Sequence, residues 1–204
     1  MICLARRTRC GALFGLLLAC GWATSAHAVP IEYTFAGTGS GNLGEVAFNA
    51  AHFRFDVKAD TSDVTHPPGT SLYVVIGTGT LTVDGGPVAT LTNPTSVVDN
   101  QGSSSTTGVV VLGDSTQDLA IAVVRNPAVF HTYDLSSPLG PVDGMEVGVV
   151  DAGIHYPTTA GPLSFTGITA VSFSASQVPE PAPCVLYLAL SGSALLRRQR
   201  RDRA

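Results

Sequence analysis

The sequence predicts an all-β protein, a single antiparallel β-sandwich, with a jelly-roll-like barrel as the second choice. Three observations support this prediction. Apolar and polar residues alternate with a period of two through most of residues 29–177, which is the pattern of half-buried strands. Runs of Gly, Pro, Asn and Ser separate the alternating segments. The segment also contains few of the Glu, Lys, Arg and Gln residues that cover the exposed faces of amphipathic helices.

The alternation is clearest in four segments. HFRFDVK, residues 52–58, places two phenylalanines and a valine on one face and four polar or charged residues on the other. The same pattern occurs in GTLTVD (79–84), DLAIAVV (118–124) and AVSFSAS (170–176). Turn-forming residues lie between such segments at 37–44, 67–69, 84–87, 100–105, 137–141 and 156–162. We expect about nine strands and no helix. Recurrent short strands separated by turns are typical of antiparallel sandwiches.

Charge is unevenly distributed along the 204 residues. Eight of the eleven basic residues lie before residue 10 or after residue 196, so residues 29–177 hold three basic and thirteen acidic residues, a net charge of −10. A domain this acidic repels phosphates, which excludes a nucleic-acid partner. The same segment has no cysteine, which excludes a disulfide framework and a cysteine nucleophile.

Residues 1–28 have the organisation of a signal peptide. Three arginines precede an apolar stretch that begins at Gly11, and the small residues Ala26 and Ala28 stand two apart before Val29. We therefore predict that signal peptidase cuts before Val29 and that the chain is exported. In a second interpretation, the chain is processed as a lipoprotein and lipidated at Cys20, because Leu-Leu-Ala precedes that cysteine.

Residues 178–204 combine a proline-containing motif, an apolar run and a basic end. The motif is Val178-Pro179-Glu180-Pro181, and the run from 184 to 196 would span about 20 Å as a helix, against a hydrocarbon core of about 30 Å. The arginines at the end would stay in the cytoplasm and stop translocation. They are Arg197, Arg198, Arg200, Arg201 and Arg203.

This order of motif, apolar run and arginine cluster resembles the PEP-CTERM sorting signal of Gram-negative bacteria. The resemblance covers the last 27 residues. It implies a transient stage in the inner membrane, recognition by an exosortase near Pro179-Glu180-Pro181, and delivery to the cell surface or the exopolysaccharide matrix. The apolar run departs from the pattern in being short and in containing Ser191-Gly192-Ser193. The alternative is a transmembrane segment that is kept as an anchor.

No motif in residues 29–177 predicts a catalytic, cofactor or metal site. Gly39-x-Gly41-x-x-Gly44 matches a dinucleotide fingerprint, but the sequence after it alternates as a strand, whereas the fingerprint requires a helix. There is no G-x-S-x-G elbow, and the four histidines lack metal-ligand spacing. The histidines are His52, His66, His131 and His155. We do not expect an enzyme, although a secreted hydrolase with a loop-built site remains an alternative.

The remaining residues offer candidate sites for two classes of ligand. The loops FHTYD (130–134) and GIHYP (153–157) are the best candidates for a polysaccharide site, and we expect their tyrosines to be turn residues with internally bonded hydroxyls. The candidate site for calcium is the acidic loop from Asp60 to Asp63, which we interpret as a solvated surface. The sequence thus predicts a structural or adhesive protein, with a polysaccharide-binding module as the alternative.

Overall fold

The computed structural model describes residues 28–102, 108–116, 119–144, 147–148 and 155–179. These residues form ten strands, a four-residue helix and one 3-10 turn. The strands are β1 Pro30–Leu43, β2 Val46–Asp60, β3 Leu72–Val83, β4 Ala89–Thr90, β5 Thr95–Asn100, β6 Val109–Asp114, β7 Leu119–Arg125, β8 Leu139–Asp143, β9 Val147–Gly148 and β10 Leu163–Gln177. The helix α1 is Pro127–Phe130 and the 3-10 turn is Thr61–Asp63.

The strands form one antiparallel sheet in the order β8-β10-β1-β2-β3-β5-β6-β7-β9, with β4 paired to β3. Strands β7 and β9 at one end of this order come back into contact with β10 near the other end. The sheet therefore curls into a half-barrel around one core. The all-β antiparallel prediction is confirmed, and the arrangement is a half-barrel rather than a sandwich of two separate sheets.

Strand β3 joins the two halves of this sheet. Its first six residues, 72–77, pair with β5, and its last six, 78–83, pair with β2. A glycine stands on each side of Thr78, and a side chain on Gly77 would collide with the backbone carbonyl of Lys58. The glycines thus allow neighbouring backbones to approach where the strand changes partners. We call β8, β10, β1, β2 and residues 78–83 the β1 half, and residues 72–77, β5, β6, β7 and β9 the β6 half.

The predicted turn at residues 37–44 is wrong except at its end. Strand β1 continues to Leu43, and the chain turns only at Gly44, which has a φ of +61°. Side chains on the preceding glycines would collide with backbone carbonyls of β10 and with phenylalanine rings, so the glycines mark close packing instead of a loop. For Gly37, Gly39 and Gly41 in turn, the carbonyls belong to Ala170, Gly167 and Ser164, and the rings to Phe53, Phe165 and Phe48. The turn predicted at 137–141 is also partly wrong, because β8 begins at Leu139.

The core is dominated by aromatic rings on the inner face of the β1 half. Phe173 of β10 lies at their centre, with four ring centroids between 5.1 and 6.2 Å from its own. These neighbours are Tyr33 and Phe35 of β1, Phe130 of α1 and Tyr133. The short helix, which the sequence did not predict, therefore closes the core by placing a phenylalanine against Phe173.

Candidate functional site

Nine polar or small residues form three rows across the outer face of β1, β2 and β3, with Asp84 placed directly after the end of β3. The register sets Ala36 opposite Arg54 and Arg54 opposite Thr82 in the middle row. We call this set the outer grid. Its members are Thr34, Ala36, Thr38, His52, Arg54, Asp56, Thr80, Thr82 and Asp84. Because side chains alternate along a strand, the same alternation that buries the phenylalanines of β2 places its polar residues here.

Arg54 is held in one orientation by its neighbours in the grid. Its Nε atom lies 2.8 Å from both carboxylate oxygens of Asp56, and its Nη2 atom lies 3.2 Å from the hydroxyl of Thr34. Thr34 in turn donates to Asp56 at 2.7 Å, and Glu32 lies 3.6 Å from Nη2. The hydrogen bond to Asp56 raises the pKa of Arg54. The guanidinium is thus a fixed cation with donors left for a ligand.

His52 and Asp84 complete the row of the grid that begins with Thr38. The Nδ1 atom of His52 lies 3.2 Å from the hydroxyl of Thr38, which orients the ring. The backbone N–H of Asp84 donates to the carbonyl of His52 at 2.9 Å. Among the residues that the structure describes, none bonds to Nε2 of His52 or to the carboxylate of Asp84. Both groups are therefore available to a ligand.

A groove of about 630 Å³ runs over the grid, and we call it the β2 groove. It is lined by Ala36, Gly37, Thr38, His52, Phe53, Arg54, Asp56, Thr82 and Asp84. This volume falls within the range of about 300–1,000 Å³ that is usual for small-molecule sites. The carboxylate of Asp56 is bonded to Arg54, so Asp84 is the one carboxylate of the lining with no described partner.

Away from the outer grid, the carboxyl group of Asp99 is buried inside the β6 half. Its side chain is 0% exposed, and no residue in the described part of the chain bonds to either carboxylate oxygen. Burial, together with the nearby charge of Asp134, raises the pKa of Asp99 to about 8. Burial also raises the pKa values of Tyr33 and Tyr133. Asp99 thus stays largely protonated at neutral pH.

The tyrosines of the two predicted ligand loops belong to the core. Tyr133 donates its hydroxyl to the carbonyl of Ser137 at 2.9 Å, and Tyr156 donates to the carbonyl of Ala120 at 2.7 Å. Both side chains are buried, at 6% and 2% exposure. The expectation that their hydroxyls are bonded internally is confirmed, and neither ring offers a platform for a sugar.

The other histidines and the acidic loop have local structural roles. The ring of His66 stacks on Tyr73 with centroids 4.6 Å apart, and Nδ1 of His131 lies 3.2 Å from a backbone carbonyl. Asp60 accepts the N–H of Ser62 at 2.8 Å and caps the 3-10 turn. Within the described ranges, no three His, Cys, Asp or Glu side chains converge in a group that could hold a metal ion.

Four of the predicted processing residues can be located: Ala28, Val29, Val178 and Pro179. Val29 exchanges two bonds with Thr61: its N–H donates to the hydroxyl at 3.2 Å, and its carbonyl accepts the Thr61 N–H at 3.1 Å. The other predicted positions lie outside the described residues. They are Cys20, Ala26, Glu180, Pro181, the apolar run 184–196, and Arg197, Arg198, Arg200, Arg201 and Arg203. No helix in the ranges given above is long and apolar enough to cross a membrane.

Sequence reasoning did not identify the groove. It placed His52 and Arg54 on one face of a strand, but it did not bring Thr38, Thr82 or Asp84 to the same place. The signal for that is the pairing register, which no single strand contains. Comparisons with family models, with curated proteins and with solved structures find no match for this chain.

Proposed function

We propose that this chain is an exported protein with a structural or adhesive role at the cell surface or in the exopolysaccharide matrix. In this proposal, signal peptidase removes residues 1–28, and an exosortase processes the segment 178–204, which has only a transient stage in the membrane. The observation that supports it most directly is the pairing of β1 with β10, in which Ile31 stands opposite Gln177. Both segments to be processed therefore leave the sheet at the same end.

The hydrogen bonds at that end fit processing outside the sheet. The last bond of the ladder runs from the N–H of Val178 to the carbonyl of Pro30, at 2.8 Å. The proposed N-terminal cut lies just before Val29, and Pro179-Glu180-Pro181 of the proposed C-terminal motif follows the residue that makes this bond. A cut before Val29 and a cut within Pro179-Glu180-Pro181 therefore both leave the ladder between β1 and β10 intact. Since an N-terminal amine can still donate to Thr61, the contact at Val29 also survives the cut.

Terminal-peptide mass spectrometry on protein from the native host tests this proposal. The cells are separated into inner membrane, outer membrane and released material. We expect Val29 as the N-terminus and a C-terminus near Pro179-Glu180-Pro181 in the released or surface fraction. An intact chain with its arginines in the inner membrane would overturn the sorting proposal in favour of an anchor, and a lipidated Cys20 would replace the predicted cut.

The second candidate is a polysaccharide-binding module, and the β2 groove favours it. Its lining combines a fixed Arg54, an oriented His52 and an unbonded Asp84 carboxylate on a surface that no described element covers. Binding of this kind would be one way for the protein to be adhesive.

A further inference from the structure

We propose that the β2 groove binds a neutral, hydroxyl-rich saccharide chain. This proposal deepens the adhesive role and rests on it in one respect, since a polymer of this kind meets the groove only outside the cell. The lining of the groove indicates the class of ligand through its shape, its hydrogen-bond donors and acceptors, and its charge.

The polarity of the groove matches that of a sugar ring. A pyranose has apolar C–H faces and a rim of hydroxyl groups. The floor of the groove is formed by Ala36, Gly37 and Phe53, and its apolar side chain is the methyl group of Ala36, because the ring of Phe53 packs in the core. The sides are polar, and their groups belong to Thr38, His52, Arg54, Asp56, Thr82 and Asp84. A ring that lies on the floor can therefore direct its hydroxyls to the sides.

The sides also offer donors and acceptors together. A hydroxyl group both donates and accepts hydrogen bonds, so it is best bound where both kinds of partner are present. Arg54 supplies donors, Asp84 supplies an acceptor, and the hydroxyl of Thr82 supplies both. Because Arg54 and His52 are already held by Asp56 and Thr38, binding would cost little additional side-chain entropy.

Charge selects a neutral ligand. The lining contains one arginine and two aspartates, a formal charge of −1 with His52 neutral, and residues 29–177 carry −10. Polymers rich in uronate, sulfate or phosphate would therefore be repelled by the domain, even though Arg54 itself is cationic. Asp56 also compensates most of the charge of Arg54.

The groove has no exposed aromatic ring in its described lining, since Phe53 is only 2% exposed. Stacking would therefore contribute little, and a single sugar unit would bind weakly. A chain that repeats the same unit would bind through many copies of the protein in a matrix, where multivalency raises the apparent affinity.

Affinity electrophoresis of the processed protein from its host tests the proposal. The gels contain dextran, a soluble β-glucan or a galactomannan as neutral probes, and alginate as the anionic probe. We expect at least one neutral polymer to retard the protein and alginate to have no effect. Retardation by alginate alone would overturn the assignment of a neutral ligand, and no retardation by any neutral probe would overturn the site.

Three variants locate the binding. Arg54→Met removes the central donor, and Ala36→Gln fills the floor without removing a polar group. Lys58→Met is the matched control, because Lys58 is a cation on the same face of β2 but does not line the groove. We expect the first two to weaken binding at least tenfold and the control to leave it unchanged, with all three unfolding at the wild-type denaturant midpoint. Equal retardation of all three variants would overturn the proposal.

These results are separable from the test of the proposed function. A protein that is processed at both ends and found in the matrix, but that no neutral polymer retards, would overturn the groove proposal and leave the structural role standing. A chain that binds a neutral polymer but stays intact in the inner membrane would overturn the proposed sorting and leave the groove standing.

Discussion

The outer faces of the two half-sheets have opposite character. In the β1 half, the outer face carries the grid and its ion pairs, with Arg54 between Asp56 and Glu32. In the β6 half, the outer face carries a row of valines that stand opposite one another across four neighbouring strands. This row is Val74, Val98, Val111 and Val123. All four are partly buried, because β-branched side chains on adjacent strands cover one another.

The inner faces differ as well. The inner face of β1 and β2 holds only apolar and aromatic residues, whereas β5 and β6 bury Thr95, Asp99 and Asp114 within a core that is otherwise apolar. Alternation thus fixes which residues share a face, but it does not exclude a polar residue from the buried face. In the β6 half, packing and strand pairing must offset the cost of burying Asp99, whose raised pKa links the stability of that half to pH.

The largest effect on stability should come from a lysine on the inner face of β5, compared with a lysine on its outer face. Val97 is fully buried and Val98 is partly buried on the outer row. We expect Val97→Lys to lower the free energy of unfolding by about 4 kcal/mol or more, because it buries an unpaired ammonium. Val98→Lys should cost less than about 1 kcal/mol. Urea unfolding measures both, and equal losses would show that the outer row is as buried as the core.

The next effect is the pH dependence of stability that Asp99 causes. Its pKa is about 8 in the folded state and about 3.9 in an unfolded chain, so the folded state binds the proton more tightly. The contribution of Asp99 to the free energy of unfolding is complete below pH 4. It is lost as the pH rises to 8, by up to about 1.4 kcal/mol per pH unit. In Asp99→Asn this loss should be absent. Urea unfolding from pH 4 to 9 checks it, with Asp63→Asn as the exposed control.

Parallel pH profiles for the wild type and Asp99→Asn would mean that Asp99 finds a partner that the described residues do not supply. The difference between the two profiles is the relevant quantity, since other carboxyl groups titrate in both proteins. The control should reproduce the wild-type profile, because Asp63 is exposed in the 3-10 turn.

A substitution that leaves a cavity in the aromatic core tests how much the inner face of the β1 half contributes to the free energy of unfolding. Phe173 contacts the rings of Tyr33, Phe35, Phe130 and Tyr133. We expect Phe173→Ala to lower the free energy of unfolding by about 3–4 kcal/mol. Val111→Ala on the outer row should lower it by about 1 kcal/mol or less, and thermal and urea unfolding should rank the two variants alike. A larger loss at the valine would reverse the assignment of the faces.

The smallest effect concerns the ion pair of the grid. The side chain of Arg54 is 54% exposed, so its bonds to Asp56 are screened by solvent. We expect Arg54→Met to change the free energy of unfolding by less than about 1 kcal/mol. A double-mutant cycle with Asp56→Asn isolates the interaction. A coupling well above that size would assign the pair a role in stability and weaken its assignment to ligand binding.

The sequence predicted the β1 half better than the β6 half, for a physical reason. The segment 52–58 alternates strictly, so the position and the inner face of β2 followed directly. In β6, four apolar residues stand in succession from Val109 to Leu112, and β5 reads TSVVDN. Neither pattern fixes a face, so the inward orientation of Asp99 could not be inferred.

The candidate site was only partly predictable because it spans three strands. The outward direction of Arg54 follows from alternation alone. Its position between Ala36 and Thr82 depends on the register of β1, β2 and β3, which depends on long-range pairing. The glycines of β1 led to a wrong prediction of a turn, since their small size allows the backbone of β10 and the phenylalanine rings to approach β1 closely.

The pairing of β1 with β10 also decides how the domain would carry mechanical load. A pull between the groove and the chain's exit at Val178 runs along these two strands. Hydrogen bonds of an antiparallel ladder lie perpendicular to the strands, so this pull shears the thirteen paired positions together. A pull that separates Val29 from Val178 would instead open the ladder from its end, one bond at a time. The same ladder is therefore strong in the direction that adhesion would load and weak in the other.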